Sequence, residues 1–380
     1  MNNLNFKDMR LINLKSVLDS VRDFGYSRAE LSRVTGLTRA GITILVSELI
    51  RQGLVEEGDI GATEKRGRKP SELRIRGDAH LVAGINLSRD GVNIGVTDFA
   101  CHPIEGAAYA LQSRAKTLET IESAIDGYLR KFGKERFIGI GAVTPGPVNA
   151  NTGQILTPPN FEQWHRFNIK QHLEERFGLP VCLENNSSAV TLFENNYGLG
   201  KQLNNFIGLV VDSGIGSGVI INGKLYGGTS GLGAELGHCS IDRNGPLCAC
   251  GRKGCAELYA SLKSIINHAK EIDVTLSSWR IVADRAESGD AAALSVIARE
   301  ADCLAELIAN ASNSFDIPDF VVIGELAENH GILQAVLEKK VNSIAIGRST
   351  NLLRVFFVTG CKWNSYLSAA NLVLRAYQPI

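Results

Sequence analysis

The stretch GHCSIDRNGPLCACGRKGC, residues 237–255, places four of the chain's eight cysteines beside a histidine. His238, Cys248, Cys250 and Cys255 follow the pattern His-x9-Cys-x-Cys-x4-Cys. Three thiolates and one imidazole fill a tetrahedral Zn2+ shell and leave no open position for an activated water. A structural zinc is therefore expected, and a catalytic one is not. Two other readings stay open: buried thiols without a metal, and a nucleic-acid finger, which the flanking acids Glu235 and Glu257 oppose. Cys239 is not needed to complete the shell and is read as structural. Cys101, Cys182, Cys303 and Cys361 lie far apart, as buried thiols in a reducing compartment do.

Two further stretches could carry chemistry. The glycine turn DSGIGSG, 212–218, can be read as a phosphate cradle of backbone amides or as an ordinary turn between strands. The pair Asn185 and Asn186, after Glu184, reads from the residues alone as an ordinary polar turn after a strand, although amides can hydrogen-bond hydroxyls from both directions.

The elements that position these residues follow from periodicity and punctuation. The chain of 380 residues is long enough for two or three domains. Its formal charge is zero, yet residues 1–76 hold 14 Lys/Arg against 10 Asp/Glu, so the basic excess is amino-terminal. No signal-peptide pattern opens the chain and no apolar run approaches a membrane span, so a cytoplasmic protein without membrane insertion is expected.

In the first 76 residues, Leu11, Leu14, Val17, Leu18 and Val21 recur at helical spacing. SRAE then forms a capping box in which Ser27 bonds forward and Glu30 reaches back. A helix over 27–34, a turn at Thr35, Gly36 and Leu37, and a helix from Thr38 to about Arg51 make a helix-turn-helix. The start of its second helix would enter a DNA major groove with Thr38, Arg39 and Thr43, while Ser27 and Arg28 at the start of the first helix join the same DNA-facing set. The strands LVEE and ELRIR would form a wing whose loop carries Lys65, Arg66, Arg68 and Lys69 toward phosphates or a minor groove.

From residue 81 the texture changes to strands such as LVAGINL, GVNIGVTDF, FIGIGAV, FIGLVVD and SGVIING. Helical stretches at 115–131, 168–177, 256–271 and 290–312 alternate with them, which predicts an α/β body with two lobes and a cleft.

GAVTPGPVN at 141–149, PPNFEQW at 158–164, LENNSSA at 183–189, GIGSGVIINGKLYGGTSGLGAELGH at 214–238 and GPLCACGRKGCAELYAS at 245–261 together resemble the ROK family of repressors and sugar kinases. The resemblance covers nearly the whole chain, and a helix-turn-helix ahead of this body is the layout of the family's xylose-type and N-acetylglucosamine-type repressors. It implies an α/β fold: an N-terminal winged helix-turn-helix followed by a two-lobed actin/hexokinase-like (ribonuclease H-like) body. The expected domains are 1–76 for DNA binding, 77–190 for a small lobe completed by a C-terminal helix at 363–380, and 191–362 for a large lobe with the zinc loop.

The same resemblance argues against catalysis. Where the family's kinases carry an Asp, two glycines and a Thr, this chain has Asn86, Leu87, Ser88 and Arg89. Where they carry the catalytic base there is Asn186, and an amide cannot take the proton, a step worth roughly 10²- to 10⁴-fold. Near the adenosine a glycine pair becomes Gly324 and Glu325. With its partner turn lost, DSGIGSG is read as structural, no catalytic residue is assigned and ATP is not expected. The sugar-facing positions implied by the family are Asn160, Asn185, Asn186, Glu235, His238 and Glu257, with one ring nitrogen of His238 on the zinc and the other facing the sugar. The expected protein is a sugar-responsive transcriptional regulator, a repressor of carbohydrate genes, that binds operator DNA as a homodimer or dimer of dimers. The rival expectation is an ATP-dependent sugar kinase carrying a DNA-binding head.

Overall fold

The computed structural model describes residues 6–58, 72–228, 231–346, 352–359 and 365–380. Two compact units emerge: Met1–Val143, Ile169–Leu183 and Ala369–Ile380 form the first, Thr144–Asn168 and Glu184–Ser368 the second.

The first unit opens with α1 (Phe6–Phe24), α2 (Arg28–Thr35), α3 (Arg39–Arg51), β1 (Val55–Glu57) and β2 (Leu73–Ile75). Leu14, Val17, Leu18 and Val21 bury one stripe of α1, with Leu31, Ile42, Val46, Leu49, Leu54 and Leu73 completing the small core. Ser27 and Glu30 form the capping box of α2. Gly36 ends that helix in the left-handed region at φ 71, which any side chain would strain. Thr38 then caps α3. β1 and β2, the strands expected to flank the wing loop, pair antiparallel with Val55 opposite Ile75. Its cations Lys65, Arg66, Arg68 and Lys69 lie outside the described residues.

The rest of this unit is a sheet of β3 (Leu81–Leu87), β4 (Gly91–Asp98), β5 (Pro103–Ala110), β6 (Phe137–Thr144) and β9 (Val181–Asn185), in the order β5-β4-β3-β6-β9, with α4 (Arg114–Phe132) and α5 (Ile169–Phe177). α12 (Leu367–Ala376) lies against β6, where a Cβ on Gly141 would come 1.8 Å from the Ala369 carbonyl. The same helix holds α1: Arg375 grips Asp23 through bonds of 2.6 and 3.1 Å, and Lys15 donates to the Arg375 carbonyl at 2.7 Å.

The second unit contains β7 (Val148–Asn149), β8 (Gln154–Ile155), α6 (Asn186–Tyr197), β10 (Phe206–Val211), β11 (Ile215–Ile221), β12 (Lys224–Leu225), α7 (Glu257–Ala260), α8 (Leu262–Ile272), α9 (Trp279–Glu287), α10 (Ala291–Phe315), β13 (Asp319–Ile323), α11 (Gly331–Ile344) and β14 (Arg354–Phe357). Its sheet runs β12-β11-β10-β13-β14. In both sheets a central strand pairs antiparallel with the next strand in sequence and parallel with a later one. This repeated arrangement is the ribonuclease H-like body of actin and hexokinase. Alternation along the strands splits the core: Ile207, Leu209, Phe320 and Val322 pack with Trp279, Leu304 and Ile308, while Phe206, Val210, Val321 and Ile323 pack with Val190 of α6. A sheet buried on both faces reads as continuous apolar runs.

The helix expected over 256–271 is broken. Ser261 is extended at ψ 151 and caps α8 through the Ser264 amide, so α7 ends there.

Candidate functional site

Backbone close approach shapes the cysteine-rich loop. A Cβ on Gly237 would lie 2.0 Å from the Ile215 carbonyl, so glycine lets His238 follow β11 closely. Gly254, at φ 68, lies so near the Asp242 carbonyl that a Cβ would be 1.7 Å from it. Between these points Ser240 bridges Cys255 and Leu247 bridges Lys253, folding the loop back on itself. The donor atoms of His238, Cys248, Cys250 and Cys255 then all fall within 4.8 Å of one another.

Cys248 Sγ is 3.7 Å from His238 Nδ1 and Cys250 Sγ is 3.5 Å from Cys255 Sγ. Metal–sulfur bonds of about 2.3 Å in a tetrahedron require edges of about 3.8 Å, so the quartet fits such an ion. Burial pushes the Cys255 thiol up to about 12 and raises Cys248. A cation would oppose that penalty by stabilising the thiolates.

Glu257 belongs to this cluster as well. Its Oε1 is 3.3 Å from both His238 Nδ1 and Cys248 Sγ. Its Oε2 reaches the turn between β10 and β11, 3.3 Å from where a Gly214 Cβ would stand.

A second pair forms at Gly146, where a Cβ would lie 2.0 Å from Asn185 Nδ2 and 3.2 Å from Glu235 Oε1. Asn185 is the N-cap of α6, with Oδ1 accepting from the amides of Ser187 and Ser188 at 2.8 and 3.4 Å. Its carbonyl is thus committed to the helix. Burial raises the Glu235 carboxyl, against the opposing pull of His238. Asn186 is the first residue of α6 and half-buried. Asn160 is exposed, in a left-handed turn at φ 56.

The sugar-facing set implied by the resemblance left out Glu184. Its carboxylate accepts from the Asn185 amide at 2.8 Å, and burial pushes it up to about 7. A glutamate ending an apolar strand was the available signal.

The kinase-type turns are occupied by the protein itself. Ser88 Oγ accepts from the amides of Asp90 and Gly91 at 3.3 and 3.1 Å, so the first turn has no cradle of free amides at those residues. In DSGIGSG, a Cβ on Gly216 would meet Ser187 Oγ at 1.9 Å and one on Gly218 would meet Thr191 at 2.7 Å. These glycines let α6 pack on β11.

In the head, Thr38, Arg39 and Thr43 are exposed on α3. Thr38 Oγ1 accepts from the Gly41 amide at 3.1 Å, and Thr43 Oγ1 donates to the Arg39 carbonyl at 2.8 Å. Ser27 and Arg28 are held by the fold: Ser27 is 3% exposed and caps α2, and the Arg28 guanidinium pairs with Glu57 of β1. The burial of Ser27 removes its side chain from a DNA-facing surface. Among the described residues no helix is long and apolar enough to cross a membrane.

A family model described as the ROK family matches residues 82–374. The chain is 30% identical over 353 residues to the xylose repressor of Bacillus spizizenii, covering 91% of each chain. It is 34% identical over 238 residues to the glucokinase of Thermotoga maritima, covering 59% of this chain and 73% of that one. A crystal structure described as a ROK family transcriptional regulator, homolog of the E. coli MLC protein, matches 97% of both chains with a TM-score of 0.79 at 22% identity, a likeness of fold.

Proposed function

This chain belongs to the ROK family, and on that premise we propose that it is a sugar-responsive DNA-binding transcriptional repressor whose kinase-like body senses a sugar without phosphorylating it. The observation that carries this reading is Asn186. It heads α6 directly after Glu184 and Asn185, where the family's kinases place their base, and an amide there can hydrogen-bond a hydroxyl but cannot deprotonate it. The capped amides of the 88–91 turn support the same conclusion.

Asn160, Asn185, Asn186, Glu235, His238 and Glu257 are the proposed polyol-binding set, all within the second unit. His238, Cys248, Cys250 and Cys255 would hold a structural Zn2+, which supplies a fixed point for the loop. The side chains of His238 and Glu257 then stay in place against a ligand, because each is anchored at the quartet.

Thr38, Arg39 and Thr43 on α3, with the wing cations, are the proposed DNA-binding set, and Arg28 acts from the start of α2. A homodimer would present two such heads to half-sites one helical turn or a multiple apart. Chain passages at 143–144, 168–169, 183–184 and 368–369 join the effector-binding unit to the unit bearing the head. A coupling of about 1–3 kcal/mol would release DNA roughly 5- to 150-fold. We place the protein in the cytoplasm, with operator DNA as its macromolecular partner.

The test is a thermal-shift panel of aldoses, N-acetylated aminosugars and their phosphates, followed by DNA binding with and without the hit. Stabilisation by one sugar together with weakened DNA binding is expected. A panel in which no sugar changes either measurement would defeat the sensor reading.

A further inference from the structure

We propose that the exposed face of α3 reads thymine methyl groups in the major groove, with Ile44 as the principal contact and Arg39 beside it. This rests on the DNA-binding reading above.

Ile44 is 65% exposed, whereas Ile42, Leu45, Val46 and Leu49 on the other side of the same helix are at most 8% exposed. At about 100° per residue, Arg39, Ala40, Thr43, Ile44 and Ser47 fall within about 140° of the helix circumference. All five are exposed, and none is acidic.

Part of the polar capacity of this region is spent on the helix itself. Thr43 donates its hydroxyl proton to the Arg39 carbonyl, and Thr38 receives the Gly41 amide as the helix cap. What remains for a base edge is the Arg39 guanidinium, the Ser47 hydroxyl, the acceptor lone pairs of Thr43 and the hydroxyl proton of Thr38, together with the aliphatic groups of Ala40, Thr43 and Ile44. In the major groove the apolar feature that distinguishes one base is the thymine C5 methyl, while guanine offers the acceptor pair an arginine fits.

A single exposed isoleucine is ordinary on a protein surface. Ile44 stands out by its place, on the second helix of a helix-turn-helix, one turn from Ala40, and the carboxylate one turn further on, Glu48, is held by Arg51 at 3.1 Å. Burying one methyl group is worth about fourfold in affinity.

The experiment selects duplexes from a random-sequence library with the full chain, then replaces each selected thymine in turn by deoxyuridine, which lacks the methyl and keeps its base pairing. The expected result is a loss of about fourfold at one or more thymines, and disappearance of that loss at the matching position in Ile44→Ala. Equal binding of thymine and uracil duplexes overturns the inference. So does an Ile44→Ala protein that keeps the thymine preference but changes its oligomeric state, since Ile44 would then face a second copy. Failure to select any duplex overturns the DNA-binding reading itself, a result distinct from the other two.

Discussion

Glu257 Oε1 stands 3.3 Å from His238 Nδ1. The same oxygen is 3.3 Å from Cys248 Sγ, so one carboxylate leans on two members of the metal-type quartet while its other oxygen points to the turn at Gly214. On the proposed reading, in which Glu257 also contacts the effector, loop order and effector binding are coupled through a single side chain. Disturbing the quartet should be felt at the effector.

Cys250→Ser removes one donor from the quartet. Zinc content measured by mass spectrometry should fall, and titration calorimetry should show effector binding weakened by about tenfold or more, the scale seen when the support of a metal site is removed. Full effector affinity in a folded, zinc-free variant would show that the loop does not organise the pocket.

Gly146→Ala tests the pair at Asn185 and Glu235. The added Cβ would stand 2.0 Å from Asn185 Nδ2, and Asn185 cannot move aside without loosening its cap on α6. Urea denaturation should report a loss of about 1–2 kcal/mol, as expected for a lost cap and a crowded contact, with weaker effector binding. Asn185→Ala should lose a similar amount of stability without the crowding.

Asn186→Asp puts a carboxylate at the position where, on the proposed reading, the family's kinases carry their base. Neither the wild type nor this variant should consume ATP with any aldose in a coupled assay, because Ser88 keeps the amides of Asp90 and Gly91. Sugar-dependent turnover by the wild type would sink the sensor reading in favour of a kinase.

Glu184 predicts a pH effect of definite sign. Burial pushes its carboxyl up to about 7 from 4.5, so the folded state holds this proton more tightly than the unfolded one. Its contribution to stability is present in full below the unfolded value and is lost as pH rises through about 7. Glu184→Gln should therefore be more stable than the wild type at pH 8, by about 3 kcal/mol, and the advantage should vanish near pH 4. Denaturation at the two pH values measures it, and equal differences at both would remove Glu184 as the cause.

Arg375→Ala should loosen the head from α12. Asp23, whose carboxyl burial raises, would lose both bonds from the guanidinium. A loss of about 1–3 kcal/mol is expected when a desolvated acid is left without its partner. Limited proteolysis should show faster cleavage of α1, and unchanged cleavage would mean that the Lys15 bond to the Arg375 carbonyl suffices.

Much of this protein was legible from local rules. The capping residues Ser27, Glu30 and Thr38, the left-handed Gly36 and the apolar stripe of α1 appear where short-range periodicity and backbone preference place them. LVAGINL coincides with β3, because a strand buried on both faces needs an unbroken apolar run. β5 was not legible: PIEGAAYA is exposed along nearly its whole length and is a strand through its antiparallel pairing with β4. β13 and α9 were also missed, since DFVVI is too short for periodicity to separate strand from helix and Trp279 of α9 is recruited by a core assembled from distant residues.

The site divides in the same way. Spacing marked His238 and the three cysteines as one set of donors, and the structure gathers them within 4.8 Å. Spacing could not show that Glu257 touches that set, that Asn185 gives its carbonyl to α6, or that Ser27 is buried and Ile44 exposed. Donor types, caps and strand runs depend on residues close in sequence, which the chain specifies directly. Which oxygen meets which sulfur, and which face of α3 meets solvent, depends on packing between elements far apart in sequence, and only the folded chain decides it.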